Sequence, residues 1–263
     1  MELTYWDGEV VDLSFDSKLH AYRADGDPIP SATKVLGIIA KPALIPWALK
    51  NGSEWLERHM FVDDESEDKG MFQYTSRLTL DALIKGIKSA HRGTSGNAIG
   101  VGNETHQWIE KAVNQFIKDE GKFGDDNLPT LPVDPEPLNS VNAFMDWVGD
   151  HEIKFDKSEQ RVYNRVDRYA GTVDCIADLN GVRTVIDWKT SKGIYPEYHL
   201  QVAAYAQAWE DMSGEQIDQT LVLRLDKASG RYQCGFQSRR EWVDNYTLFC
   251  AALALHQGLK KLR

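Results

Sequence analysis

Residues 171–190 read GTVDCIADLNGVRTVIDWKT, and the rest of the predicted architecture is built around this segment. Apolar and polar residues alternate on both sides of Asn180-Gly181, which is the pattern of two β-strands. Asn-Gly is a strong signal for a two-residue type I′ turn, because both central residues of that turn need a positive φ angle. The segment therefore predicts an antiparallel hairpin in which Leu179 pairs with Val182.

This hairpin brings together acidic side chains from its two strands. Counting outward from the turn places Asp174 opposite Asp187. Like charges on directly opposed residues destabilise a sheet, and a divalent cation bound between carboxylates removes that cost. Lys189 lies two residues beyond Asp187 and projects to the same face. The hairpin thus predicts two acids and a lysine at one place, a combination suited to metal-assisted attack on phosphate. Removing one of the acids is expected to stabilise the metal-free protein.

The same register sorts the other side chains of the hairpin. Asp178 and Arg183 form a cross-strand ion pair on the face that carries the acids and the lysine. An ordinary polar face with ion pairs is the alternative explanation for that group. The opposed acids favour a binding site over this alternative. The core-facing side chains are Val173, Cys175, Ala177 and Leu179.

Helix and strand patterns alternate along the rest of the chain. Apolar spacing of three and four residues predicts helices over 31–39, around 47–56, and over 74–90, 104–118, 139–150, 197–212 and from 241 onward. Period-two spacing predicts a small antiparallel sheet within 3–24 and strands at 159–166, 220–225 and 231–236. Four glycines between 93 and 102 separate two of the helices, and prolines between 129 and 137 indicate a surface loop.

The charge of the chain is unevenly distributed. The 263 residues include 40 acidic and 30 basic side chains, a net charge of −10. Residues 63–68 carry five acids and residues 125–136 carry four, with no basic residue in either stretch. We expect both stretches to be solvated loops away from the substrate, which leaves the remainder nearly neutral. The acidity therefore does not exclude a nucleic-acid partner.

Composition excludes several classes of protein. With 42% hydrophobic and 27% charged residues, the chain is typical of globular proteins and not of disordered or collagen-like ones. No apolar run approaches the roughly 18 residues that span a bilayer, and the first residues match neither a secretory signal nor a transit peptide. The three cysteines form no CxxC pair, so neither a disulfide framework nor a four-thiolate cluster is expected. We expect a cytoplasmic protein without membrane contact.

Several motifs resemble those of RecB-type nucleases in the PD-(D/E)XK superfamily, in both order and spacing. A GxxxH segment resembles the motif that supplies a metal-binding histidine in that family. The run HAYRADGDPIPSATKVL is similar to the start of phage-encoded exonucleases of this type and of the mitochondrial genome maintenance exonuclease. The matching segments are GTVD (171–174), IDWKT (186–190), QVAAY (201–205), GNETH (102–106) and the N-terminal run (20–36).

The resemblance implies an α/β fold with a restriction-endonuclease-like core, in which a mixed central β-sheet is flanked by helices. Residues 1–263 would form a single nuclease domain. Within it, residues 31–150 would be a helical N-terminal elaboration that contains the histidine motif. Residues 151–263 would supply the core sheet and the C-terminal helix.

The resemblance also implies the residues of a metal site and their roles. Asp174, Asp187 and Lys189 would be catalytic, with Gln201 and Tyr205 lining the site. Residues 201 and 205 lie four apart and share one helical face, as do residues 106 and 110. Plain packing or solvation is the alternative for Gln201, Tyr205 and Glu110. The implied metal ligands are His106, Asp174, Asp187 and the backbone carbonyl of Trp188, with Glu110 as a further candidate.

The implied function is a Mg²⁺- or Mn²⁺-dependent deoxyribonuclease, specifically an exonuclease that acts on DNA ends with single-stranded character. A structure-specific endonuclease and a non-catalytic nucleic-acid-binding protein with a nuclease fold are the alternatives. Family members with an iron–sulfur cluster carry four cysteines, so no cluster is expected here. No Walker A motif occurs, so a helicase or recombination protein would be a separate partner. The expected setting is DNA recombination and repair in the cytoplasm of a bacterium or a phage-infected host.

Aromatic and basic residues in the N-terminal half are candidates for contact with a single strand. Aromatic rings can stack on bases, and basic side chains can bind phosphates. Burial in the core is the alternative for the aromatic residues, and a solvated helix end is the alternative for the basic ones. The candidates are Trp47, Trp55, Tyr74 and Trp108 for stacking, and Lys85, Lys88, His91 and Arg92 for phosphates.

Overall fold

The computed structural model describes residues 1–17, 19, 21–39, 44–62, 74–119 and 128–262. Contacts between Cα atoms divide the chain into two compact units. One comprises residues 1–39 and 102–263, and the other comprises residues 40–101. The described residues 102–119 and 128–149, which were expected within the helical elaboration of 31–150, belong to the unit that holds the main sheet.

The described residues form strands and helices in the following order. The strands are β1 (Glu2–Thr4), β2 (Val10–Asp16), β3 (Ala21–Ala24), β4 (Asp27–Ile29), β5 (Phe61–Val62), β6 (Tyr74–Thr75), β7 (Ile153–Asn164), β8 (Tyr169–Leu179), β9 (Val182–Lys189), β10 (Gln219–Leu225) and β11 (Tyr232–Ser238). The helices are α1 (Ala32–Leu36), α2 (Leu44–His59), α3 (Leu80–Lys118), α4 (Pro135–Gly149), α5 (Pro196–Ser213) and α6 (Arg239–Lys261).

The main sheet has the strand order β11-β10-β9-β8-β7. Strands β9 and β10 are parallel, and the other neighbouring pairs are antiparallel. Parallel neighbours need a long crossover connection, and α5 supplies it between β9 and β10. The expectation of an α/β fold with a mixed sheet is confirmed.

The hairpin of β8 and β9 has the predicted register. Leu179 pairs with Val182, and the ladder continues to Cys175 and Ile186. At the turn, Asn180 has φ 50° and Gly181 has φ 79°. Both values are positive, as a type I′ turn requires.

Helices cover both faces of the main sheet. On one face, Ile176 shares a core cluster with Val202 of α5 and Phe249 of α6. The small sheet β1-β2-β3-β4 also contributes to this cluster. On the other face, Ile186 shares a second cluster with Phe144 of α4 and with the end of α3. The layers therefore run helix, sheet, helix, and side chains in each strand alternate between two buried environments.

The region between residues 74 and 118 differs from the prediction. The structure has one 39-residue helix over Leu80–Lys118, where two helices over 74–90 and 104–118 were expected. Residues Tyr74–Thr75 form a short strand instead of a helix start. A glycine inside a helix costs only about 1 kcal/mol relative to alanine, so the glycines between 93 and 102 weaken this helix without ending it.

The proline-rich region also differs from the prediction. Helix α4 begins at Pro135, four residues earlier than expected, with Pro137 also in its first turn. Proline is tolerated there because the first backbone N–H groups of a helix have no partner within it. Glu136 accordingly lies in a helix and pairs with Lys227 at 2.9 Å, so it is not part of a solvated loop. The acidic residues 63–68 and 125–126 lie outside the described residues.

Helix α1 has the predicted N-cap, since the Ser31 side chain accepts a hydrogen bond from the backbone N–H of Lys34 at 3.1 Å. The helix ends at Leu36 and not at Ile39 as expected. Among the described helices, none combines the length and the apolar character needed to cross a bilayer.

Candidate metal centre and active site

The hydrogen-bond ladders of the main sheet are interrupted at Asp174. Pairing between β8 and β9 stops at Cys175 and Ile186. Pairing between β7 and β8 steps from Ser158–Cys175 to Gln160–Val173, so it passes over Glu159 and Asp174. Asp174 Oδ2 instead accepts a hydrogen bond from the backbone N–H of Trp188 at 2.8 Å. The predicted ladder pair of Asp174 with Asp187 is not formed, because the carboxylate of Asp174 binds this backbone amide.

At the interruption, the side chains of β8 also change the face of the sheet to which they point. Val173 belongs to the core cluster that contains Ile176, whereas Cys175 belongs to the cluster on the opposite face. The prediction that Val173 and Cys175 share one face is therefore wrong. Regular alternation with period two holds from residue 175 to 179 and fails at Asp174, where the strand is irregular.

Three potential metal ligands meet at this irregular point. They are His106 of α3, Glu159 of β7 and Asp174 of β8, and their ligand atoms all lie within 4.8 Å of one another. His106 Nδ1 is 3.8 Å from Asp174 Oδ2. One imidazole nitrogen and two carboxylates suit a divalent cation such as Mn²⁺, and the carboxylates also suit Mg²⁺. The donor set of these residues is thus compatible with the implied metal.

Glu159 is a candidate ligand that the sequence analysis missed. It is a non-glycine residue with φ 49°, an uncommon conformation that is frequent at functional sites. The pKa of its carboxyl is raised to about 8, chiefly by burial, and the negative charges of Asp174, Glu110 and Asp187 add to the shift. The register of the β7–β8 hairpin would have placed Glu159 across from Asp174, but only the second hairpin carries an Asn-Gly signal.

The buried Asp187 and the half-buried Lys189 form an ion pair beside this triad. Asp187 is 1% exposed, and its Oδ2 atom lies 2.6 Å from Lys189 Nζ. Burial raises the pKa of Asp187, with Lys189 opposing that shift. Burial alone would lower the pKa of Lys189, but the carboxylates of Asp187 and Asp174 raise it above its usual value. Lys189 therefore stays protonated, and Asp187 lies outside the triad of potential ligands.

The aromatic ring of Tyr198 provides a further contact for Lys189. The Lys189 ammonium lies 5.1 Å from the centroid of this ring, which is within the range of cation–π interactions. Tyr198 was not identified from the sequence. Its position on α5, three residues before Gln201, would have placed it on the same helical face.

Gln201 and Tyr205 interact with each other on α5. Gln201 Nε2 donates to the Tyr205 hydroxyl at 2.7 Å, and it lies 3.4 Å from Thr33 Oγ1. Burial raises the pKa of Tyr205, and the negative charge of Asp187 adds to the shift. The hydroxyl of Tyr205 is therefore protonated at physiological pH.

Gly171 explains why two of the sequence motifs occur together. A Cβ atom at Gly171 would lie 2.3 Å from Cε1 of the Tyr205 ring. Only glycine leaves room for the ring to lie against β8. The GTVD segment thus supplies the space that the tyrosine of the QVAAY segment occupies.

Glu110 and Trp188 have less direct roles. Glu110 contributes to the raised pKa of Glu159, but it does not belong to the triad. The indole of Trp188 is buried, 5.5 Å from the ring of Phe144, and its backbone N–H holds Asp174. Coordination by the Trp188 carbonyl stays a prediction.

The aromatic residues proposed for base stacking have mostly structural contacts. Trp108 is 4% exposed, and its indole N–H donates to the carbonyls of Pro129 and Thr130 at 3.2 Å, so burial in the core, the alternative to base stacking, holds for this residue. Within the unit of residues 40–101, Trp55 stacks on His59 at 3.9 Å. The ring centroid of Trp47 lies 6.4 Å from that of His91. The side chain of Tyr74 lies outside the described residues.

The structure therefore brings residues from four separate motifs into one part of the larger unit. His106, Asp174 and Lys189 come from different elements, and Tyr205 reaches the same place from α5. Comparison of the chain with protein-family models gives no match, and comparison with curated proteins gives none either.

Proposed function

We propose that the chain is a Mg²⁺- or Mn²⁺-dependent nuclease that hydrolyses phosphodiester bonds in DNA. The observation that carries this proposal is the triad of His106, Glu159 and Asp174 next to the ion pair of Asp187 and Lys189. A cluster of potential metal ligands beside a half-buried, protonated lysine is suited to a substrate with a phosphate group.

The fold supports the same proposal. A mixed sheet with one parallel pair and helices on both faces is compatible with a restriction-endonuclease-like core of the PD-(D/E)XK superfamily. The candidate site lies where the strand ladders open, so carboxylates from adjacent strands can face one ligand.

The arrangement of the side chains assigns them different tasks. His106, Glu159 and Asp174 would hold the cation, with Asp187 as a further ligand once its contact with Lys189 relaxes. A bound Mg²⁺ or Mn²⁺ supplies Lewis-acid stabilisation of phosphate charge and lowers the pKa of water. Lys189 stays protonated, which favours a role in stabilising developing negative charge over a role as general base.

Residues of α5 would orient the phosphate. The protonated hydroxyl of Tyr205 can donate a hydrogen bond to a phosphate oxygen, and Gln201 holds that hydroxyl in place at 2.7 Å. Tyr198 keeps the Lys189 ammonium beside the site through its ring.

The substrate we favour is a DNA end with single-stranded character, degraded as an exonuclease would degrade it. This choice rests on the family resemblance, as do a cytoplasmic setting in a bacterium or phage-infected host and a separate helicase or recombination protein as partner. A structure-specific endonuclease and a non-catalytic binding protein are the outcomes that the following experiment separates.

Degradation of linear single-stranded, blunt duplex and closed circular DNA should be compared in Mg²⁺ and in Mn²⁺. We expect linear single-stranded DNA to be degraded fastest and closed circles to persist. Lys189→Ala should abolish cleavage, whereas Lys154→Ala, an exposed lysine on β7, should not change it. Cleavage of closed circles would indicate an endonuclease, and binding without cleavage of any substrate would contradict the nuclease proposal.

A further inference from the structure

A cavity of about 430 Å³ lies beside the candidate active site, between the small N-terminal sheet, α1, β8 and α5. Its size falls within the range of small-molecule pockets, roughly 300–1,000 Å³. Tyr205 forms part of its wall and also contacts Gln201, so the cavity adjoins the residues that would orient the phosphate. Its lining includes Phe15, Tyr22, Thr33, Lys34, Gly171 and Tyr205.

Aromatic rings form one side of this cavity. The ring centroids of Phe15 and Tyr22 are 4.6 Å apart. The Tyr22 hydroxyl shares a hydrogen bond of 2.8 Å with Thr172 Oγ1, which ties the aromatic pair to β8 two residues before Asp174. The guanidinium of Arg161 lies 5.7 Å from the centroid of Phe15. Flat apolar rings next to a cation are the surface on which nucleobases stack.

The charge around the cavity is unusual for this acidic chain. Within the described part of the chain, neither Lys34 nor Arg161 forms an ion pair with a carboxylate. The Arg161 guanidinium contacts the Met1 sulfur at 3.9 Å and lies over the Phe15 ring. In contrast, Arg165, Arg183 and Arg239 each contact at least one carboxylate. Lys34 in the cavity wall and Arg161 beside the Phe15 ring, both without a carboxylate partner, favour an anionic ligand.

We propose that this cavity holds one unpaired nucleobase of single-stranded DNA, next to the phosphate that reaches Lys189. Phe15 stacks on the base, and Lys34 and Arg161 bind the flanking phosphates. The proposal rests on the nuclease function proposed above. A base must leave its stack to enter the cavity, which is easiest in a single strand or at a frayed end. The cavity would thereby select the single-stranded character of the substrate.

The test combines removal of the base with removal of the ring. Binding of fluorescent oligodeoxythymidine is measured by anisotropy at fixed salt, together with a series of oligonucleotides that carry one abasic position each. For the wild type, one abasic position should weaken binding about tenfold, the value of a single stacked base. For Phe15→Ala, the intact oligonucleotide should bind about tenfold more weakly, and the abasic position should cost nothing further.

Matched variants keep the result interpretable. Phe15→Leu retains apolar volume and serves as the second variant if Phe15→Ala folds poorly. It should lose the abasic penalty in the same way. Trp6→Ala removes an aromatic ring that is 68% exposed and outside the cavity, so it should keep the full penalty. An abasic penalty that persists unchanged in both Phe15 variants overturns the base site.

The binding readout separates this proposal from the nuclease proposal. A wild-type protein that shows the position-specific penalty but cleaves no substrate contradicts the nuclease function and leaves the base site supported. A wild-type protein that cleaves DNA without any abasic penalty overturns the base site and leaves the nuclease function standing. Lack of binding to any oligonucleotide also overturns the base site.

Discussion

Asp174 is the residue at which regular strand pairing in the main sheet stops and three potential metal ligands come together. Its carboxylate takes the Trp188 amide hydrogen bond and approaches His106, while Glu159 opposite it adopts a positive φ angle. Backbone strain of this kind costs about 1–3 kcal/mol and persists only where the surrounding structure imposes it. A bound cation would offset the repulsion between these two carboxylates.

The raised pKa of Glu159 predicts a pH dependence of stability in the metal-free protein. Its carboxyl has a pKa of about 8 when folded and 4.5 as an ordinary glutamate. Between these values the folded state binds the additional proton, so stability is highest below about pH 4.5 and falls as the pH rises through about 8. Glu159→Gln should reduce this fall. Urea midpoints measured over this range with a chelator check it, and parallel profiles for both proteins would contradict the assignment.

The ion pair of Asp187 and Lys189 changes what removal of an acid should do. The sequence alone predicted that losing Asp187 stabilises the metal-free protein, because repulsion between opposed acids disappears. Such repulsion is worth about 0.2–1 kcal/mol, whereas an unpaired buried charge costs about 3–5 kcal/mol. The half-buried Lys189 would lose its nearest carboxylate, so the loss should lie at the low end of that range.

We therefore expect Asp187→Ala to lower the free energy of unfolding by about 3 kcal/mol. Replacing Lys189 with Met in the Asp187→Ala background should recover part of this loss, because the half-buried cation is gone. Chemical denaturation of the two single variants and the double variant measures both effects. An Asp187→Ala variant as stable as the wild type would show that the ion pair does not contribute to the free energy of unfolding.

Gly171 predicts a steric effect at one residue. An alanine there would place Cβ 2.3 Å from the Tyr205 ring, so the ring or the strand must move. Overpacking of a core typically costs about 1–3 kcal/mol, and we expect Gly171→Ala to be destabilised by that amount and to lose cleavage activity. Gly258→Ala on α6 is the control, since no described atom lies within 4 Å of its Cβ position. Equal stability of the two variants would contradict the predicted contact.

At the scale of elements, the hairpin of β8 and β9 was predictable from residues 171–190 alone. Alternation and the Asn-Gly turn fixed its register correctly as far as Cys175 and Ile186. The site beyond that point was only partly predictable. Period-two patterns assume regular strands, so they cannot anticipate the reversal of facing at Asp174 or the positive φ of Glu159.

Two glycines of helix α3 are expected to respond differently to replacement by alanine. No described atom lies within 4 Å of a Cβ at Gly100, whereas a Cβ at Gly102 would lie 3.3 Å from Thr190 Oγ1, next to Lys189. Gly100→Ala should therefore stabilise the protein by up to about 1 kcal/mol through helix propensity. Gly102→Ala should gain less and should slow cleavage, because it presses on Thr190. Thermal unfolding and cleavage rates of the two variants check this, and identical behaviour would rule out the Thr190 contact.

At the scale of the whole molecule, the sequence predicted the α/β class and the mixed sheet, and it missed how packing joins distant segments. The end of α3 packs on the main sheet, although its residues were grouped with an N-terminal elaboration. Glycines and prolines in a sequence indicate the local free-energy cost of forming a helix, but not the free energy that packing contributes. Burial of Ile109, Val113 and Phe116 on the main sheet stabilises the end of this helix.

The negative charge of the molecule is concentrated in a few places. Nine of the ten excess negative charges fall within two short stretches of the sequence, while three acids, Glu159, Asp174 and Asp187, lie on neighbouring strands of the main sheet. A polyanionic substrate would be repelled by those three acids unless a cation is bound. We therefore expect DNA to bind at this site only when a divalent metal ion is present.

The most direct test is the rate at which labelled linear single-stranded DNA is degraded by the wild type and by Asp174→Asn. With Mg²⁺ or Mn²⁺ present, we expect degradation by the wild type, arrest on chelation, and a rate for Asp174→Asn that is lower by more than about a hundredfold. Both proteins should have the same circular dichroism spectrum. Degradation that survives chelation, or that proceeds equally fast in folded Asp174→Asn, would contradict a metal-dependent nuclease centred on Asp174.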